Sequence, residues 1–113
     1  MAAWLGLLLA TIALSAHAMS LRELRALAAS DKKHGNDYVN YYLVGAMEGV
    51  IEAHSQDVRA GVAARICVQG RKLEPAMARS LYEQELQRND GVYEADMPVQ
   101  LVMRNALETV YPC

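Results

Sequence analysis

The residues of this chain whose types could do chemistry are two cysteines, Cys67 and Cys113, and an acid/base constellation of Glu48, Glu52 and His54. An even cysteine pair in an oxidising compartment forms a disulfide before it serves as a metal or catalytic site. Zinc needs four ligands, and beyond residue 18 only His34 and His54 are available, neither at the short spacing from a cysteine that makes a zinc motif. A bridge closing a loop of about 47 residues restricts the unfolded chain by about 4 kcal/mol, a large share of the stability of a small domain. The competing reading is a free Cys67 acting as a nucleophile beside His54. Glu48 and Glu52, one helical turn apart with His54 nearby, are the material of a general acid/base site, but charges so placed on a long helix are mostly solvated or interfacial. No Gly-x-Ser-x-Gly, phosphate-binding glycine loop or His-Glu-x-x-His is present. No catalytic residue, metal site or cofactor is therefore expected.

Recognition chemistry is better represented. Asn89, Asp90, Gly91, Val92, Tyr93 and Glu94 form a turn-rich, acidic segment with one aromatic, and tyrosine in an exposed loop combines apolar area with a polar tip. An ordinary solvated loop is an equally good reading. Tyr38, Tyr41 and Tyr42 precede Gly45 and Gly49 in one run, and such tyrosines more often serve core or dimer packing than a ligand box.

These residues need helices to position them. Ser20-Leu21-Arg22-Glu23 is a capping box, so a first helix starts there and carries Leu21, Leu24, Leu27 and Ala28 inward until the charged stretch Asp31 to Gly35. A second, long helix is expected from an N-cap at Asn36 or Asp37 to about Ser55. It has two apolar faces, one with Tyr38, Tyr41, Tyr42, Gly45, Ala46, Gly49 and Ala53, the other with Leu43, Met47, Val50, Ile51 and His54. Gly45 and Gly49 each cost about 1 kcal/mol relative to Ala in a helix interior, and close approach of another helix is the simplest gain. A short helix is expected around Val58 to Ala64. Pro75 introduces a third long helix with Ala78, Leu81, Tyr82 and Leu86 inward, which ends at Asn89-Asp90-Gly91. Asp96 is the expected cap of a last helix whose stripe of Val99, Val102, Met103, Ala106, Leu107 and Val110 runs to Pro112.

The 113 residues hold one domain, and the absence of Phe beside six Tyr, six Met and many Ala, Leu and Val favours helices over a sheet. The fold class is all-α, a small bundle of four to five helices with one disulfide. Eleven Lys and Arg against thirteen Asp and Glu give a net charge of -2 with the signs interspersed, so nucleic acid is not an expected partner. Residues 1–18 have the form of a signal peptide: the apolar run Leu5 to Leu14 is too short to span a membrane, and Ala16-His17-Ala18 fits signal peptidase. No Lys or Arg precedes the run. Cleavage after Ala18 leaves residues 19–113 as an exported domain without a membrane span.

Tyr42-Leu43-Val44-Gly45-Ala46-Met47-Glu48-Gly49, the central Cys67, and the ending Ala106-Leu107-Glu108-Thr109-Val110-Tyr111-Pro112-Cys113 resemble the Rap/Tai family of type VI secretion immunity proteins. The likeness covers most of residues 19–113 in order. It departs at Val68-Gln69-Gly70 and at Asn89-Asp90, where the family pattern carries proline. The resemblance implies a periplasmic, disulfide-bonded homodimer that binds a cell-wall amidase effector and occludes its cleft with a helical surface and a protruding loop. By position, that blocking element is the segment from Asn89 to Asp96, with Gln69 to Glu74 as second choice, while Tyr38, Tyr42, Gly45 and Gly49 are the expected helix-packing or dimer residues. The readings that compete are a chaperone-like or structural envelope protein binding unfolded clients, and a small hydrolase dependent on Glu48, Glu52 or His54.

Overall fold

The computed structural model describes residues 18–113, so the signal-peptide reading falls, except for Ala18, outside the described residues. Among the described residues four helices make up an all-α bundle: α1 (Leu21–Ser30), α2 (Gly35–Arg59), α3 (Met77–Arg88) and α4 (Val99–Val110). The long α2 packs against the other three, and α3 also packs against α4.

Helix α1 starts where its capping box requires. The Ser20 hydroxyl accepts from the Glu23 amide at 3.1 Å, and the Glu23 carboxylate accepts from the Ser20 amide at 3.2 Å. The start of α2 differs from expectation. Neither Asn36 nor Asp37 is its cap; Asp31 organises the turn instead, its carboxylate accepting from the Lys33 and His34 amides and its carbonyl from the Gly35 amide. Gly35 is needed there because a β-carbon would lie 2.8 Å from the Ala28 carbonyl carbon and closer still to its oxygen.

Helix α2 also runs past Ser55 and takes in Val58 and Arg59, so the expected short helix from Val58 to Ala64 does not form. Gly61, at φ 98°, turns the chain out of the helix, and the Val62 amide closes on the Asp57 carbonyl at 2.9 Å. The following segment gets its shape from distant partners. The His54 Nε2 accepts from the amides of Arg65 (3.0 Å) and Ile66 (3.2 Å), Ile66 pairs antiparallel with Pro112, and the Cys67 amide donates to the Tyr111 carbonyl at 2.8 Å. Asp96 does not cap α4 either. Pro98 occupies the N-cap in extended conformation and pairs with Ser20, flanked by Leu21 N–H to Met97 O (3.0 Å) and Val99 N–H to Met19 O (2.9 Å).

The core forms where these elements converge. Val99, Val102, Met103, Ala106 and Leu107 of α4 are fully buried against Leu43 and Met47 of α2, Leu21 and Leu24 of α1, and Ala78 and Leu81 of α3. Each large apolar side chain there contributes about 2 kcal/mol by leaving water. Val110, the last position of the expected α4 stripe, is exposed, and Tyr111 is buried in its place.

Candidate functional site

The segment after α3 is fastened from beneath by one acid. Glu85 is only 2% exposed. Its carboxylate accepts from Arg88 Nη2 at 2.9 Å, Asn89 Nδ2 at 2.9 Å and the Tyr93 hydroxyl at 2.7 Å. Three donors satisfy the acceptor oxygens of a carboxylate that burial has removed from water. The Tyr93 hydroxyl in turn accepts from Asn105 Nδ2 of α4 at 2.9 Å, so α3, the loop and α4 meet in one polar cluster. Burial pushes the Tyr93 phenol above its usual value; the bond from Asn105 opposes that rise, while the carboxylate of Glu85 adds to it.

This arrangement changes the role expected of Tyr93. Its polar tip is engaged inside the molecule and its ring is half-buried, so it fastens the loop instead of presenting it. The outward residues are Asp90, Gly91, Val92 and Glu94, with Val92 61% exposed at the apex. Gly91 allows the turn through its φ of 80°, and the Val92 amide closes on the Asn89 carbonyl at 3.0 Å. The far end of the loop is tied as well: Arg22 N–H donates to the Ala95 carbonyl at 2.8 Å. Asn89 is half-buried as the C-cap of α3.

The second candidate surface lies on α2. Tyr38 and Tyr41 are 44% and 77% exposed, and Gly45, Gly49 and Ala53 continue the stripe in the open. A β-carbon on Gly45 or Gly49 would meet nothing within 4 Å, so no other helix among the described residues makes the close approach expected there. Tyr42 departs from this group: its hydroxyl accepts from the Met19 amide (3.1 Å) and from Gln100 Nε2 (2.9 Å), fastening the segment before α1 to α4. Beyond Gly49, a groove of about 500 Å³ opens between α2 and α4, with Ala53, Leu101 and Ile66 against it and His54, Arg104 and Glu108 at its polar positions.

Cys67 and Cys113 form a disulfide with Cα atoms 4.9 Å apart, and neither is a free thiol. His54 uses its Nε2 to hold two backbone amides, and Glu48 and Glu52 are exposed, Glu52 facing Gln56 and Arg59 one and two turns on. The structure therefore does not bring Glu48, Glu52 and His54 together as an acid/base site. Among the described residues no group of three or more His, Cys, Asp or Glu stands where it could hold a metal ion, and no helix is long and apolar enough to cross a membrane.

Glu85 was missed in the sequence, although a signal for it exists. It continues the inward stripe of Ala78, Leu81 and Tyr82 at i+7, and a carboxylate on a core stripe requires buried donors. No family profile, curated protein or solved structure matches the chain significantly.

Proposed function

We propose that this protein is an immunity protein of the periplasm that binds and inhibits a peptidoglycan amidase delivered by type VI secretion, and so protects the producing cell from lysis. The observation that carries this reading is the loop of residues 89–94, fastened from below through Glu85 while its apex stays exposed. A loop already held in one shape loses little conformational freedom on entering a cleft, which is how a small inhibitor reaches high affinity. The resemblance of the α2 core, Cys67 and the Pro112-Cys113 ending to immunity proteins supports the same reading, and so do the leader-like residues 1–18. In this account the chain is exported, cleaved after Ala18 and oxidised, and two copies associate through the α2 face of Tyr38, Tyr41, Gly45 and Gly49.

The test is to produce the amidase encoded beside this gene in the periplasm of cells with and without the protein. Rescue from lysis and a stoichiometric complex are expected. Equal lysis in both strains refutes the reading. A chaperone-like envelope protein is the second reading, favoured by the exposed Tyr38 and Tyr41; it predicts broad, weak binding to unfolded chains and no preference for the amidase.

A further inference from the structure

The loop has two sides that differ in what they can give a partner. Inside, the Tyr93 hydroxyl donates to Glu85 and accepts from Asn105, and withdrawing it would strip a bond from a carboxylate that is nearly sealed from water. Outside, Val92 stands 61% exposed. Asp90 and Glu94 flank it, both exposed, and neither carboxylate has a hydrogen-bond or ion-pair partner among the described residues. Valine is stiff about its first side-chain torsion, so its position follows directly from the backbone that the cluster beneath it fixes.

Taking the inhibitor reading as its basis, we infer that Val92 is the side chain that enters the partner, that Asp90 and Glu94 meet cationic groups around it, and that Glu85, Tyr93 and Asn105 are positioning residues. The matching site on the amidase is an apolar socket large enough for an isopropyl group, rimmed by Lys or Arg. The two kinds of contact contribute differently. Burial of Val92 acts mainly on dissociation, whereas the paired carboxylates accelerate association and make it sensitive to salt.

The experiment measures binding kinetics and amidase inhibition with the exported, disulfide-bonded protein and the amidase encoded beside it, together with amide hydrogen exchange of residues 90–94. Val92→Ala should weaken binding about tenfold and Val92→Asp about 100-fold or more, both with unchanged helicity. Asp90→Asn with Glu94→Gln should slow association and flatten its salt dependence while leaving dissociation unchanged. Tyr93→Phe keeps the ring but removes both hydroxyl bonds, so exchange at 90–94 should accelerate while the core amides of α4 stay protected. A wild-type protein that inhibits the amidase beside a Val92→Asp protein that inhibits equally well overturns the contact assignment and leaves the inhibitor reading standing. Exchange at 90–94 that is equally fast in wild type and Tyr93→Phe overturns the positioning role. A wild-type protein that does not bind the amidase removes the inhibitor reading and the contact together.

Discussion

Replacing Gly45 and Gly49 together by alanine should stabilise the isolated chain. Both glycines lie in the interior of α2, and a β-carbon at either meets no atom within 4 Å. The substitution therefore adds no overlap and removes the backbone freedom that glycine carries in the unfolded chain, about 1 kcal/mol at each position. One helical turn places the two new methyl groups about 6 Å apart, too far to interfere with each other. The pair should give about 2 kcal/mol, a rise of about 8–16 °C in Tm for a domain of this size. Thermal unfolding followed by circular dichroism over a dilution series measures it, with sedimentation velocity on the same samples. If two copies associate through this face, the same methyl groups stand where the partner helix must come close, so association should weaken as the monomer gains stability. A double variant that is less stable than wild type at high dilution refutes the reasoning, because some part of the chain would then fill the space above the glycines.

Gly35→Ala should act in the opposite direction, losing about 3 kcal/mol in urea unfolding, because its methyl group would press on the backbone of Ala28 and cannot be relieved by a side-chain rotation. Converting Cys67 and Cys113 to serine should lower stability by about 4 kcal/mol through the freed loop, with little change in the near-ultraviolet spectrum of the folded protein, since Ile66 and Cys67 remain paired to Pro112 and Tyr111. Stability should also fall in alkali. Burial raises the phenol of Tyr82, with Arg25 opposing and Glu83 adding, and burial likewise raises Tyr93, so the folded state holds both protons more tightly than the unfolded chain. That contribution is complete below about pH 10 and is lost as the pH rises through the folded values. Urea midpoints of the Tyr82→Phe, Tyr93→Phe double variant should show a shallower alkaline decline than wild type.

What could be read from the sequence was what local chemistry determines. The Ser20 and Glu23 box, the end of α3 before Gly91 and the buried stripe from Val99 to Leu107 depend on neighbours within a few residues, and each stands where the pattern put it. The cysteine pair was legible for a different reason, since two cysteines allow one pairing. Residues 65–67 were illegible because their conformation is imposed from far away, by His54 on α2 and by Tyr111 and Pro112 after α4. Asp96 looked like a cap because acids favour that position, yet the pairing of Pro98 with Ser20 places the start of α4 two residues later. At the candidate site the sequence located the loop but not its orientation. Tyr93 has the composition of a contact residue, and only the burial of Glu85 beneath it turns it inward and leaves Val92 at the apex.

Among the described residues, the two short extended pairings, Ser20 with Pro98 and Ile66 with Pro112, each stop at two segments. In a pair flanked by bonds such as those around Ser20 and Pro98, the polar backbone groups of the paired residues themselves face outward, where a third strand would attach. Proline has no N–H to offer on that side. The outward N–H of Ser20 is held by Glu23 and that of Ile66 by His54. Each seam therefore closes its own edge, and at these two places the extended segments that join the helices give a neighbouring molecule no continuing ladder on which to nucleate a β-aggregate.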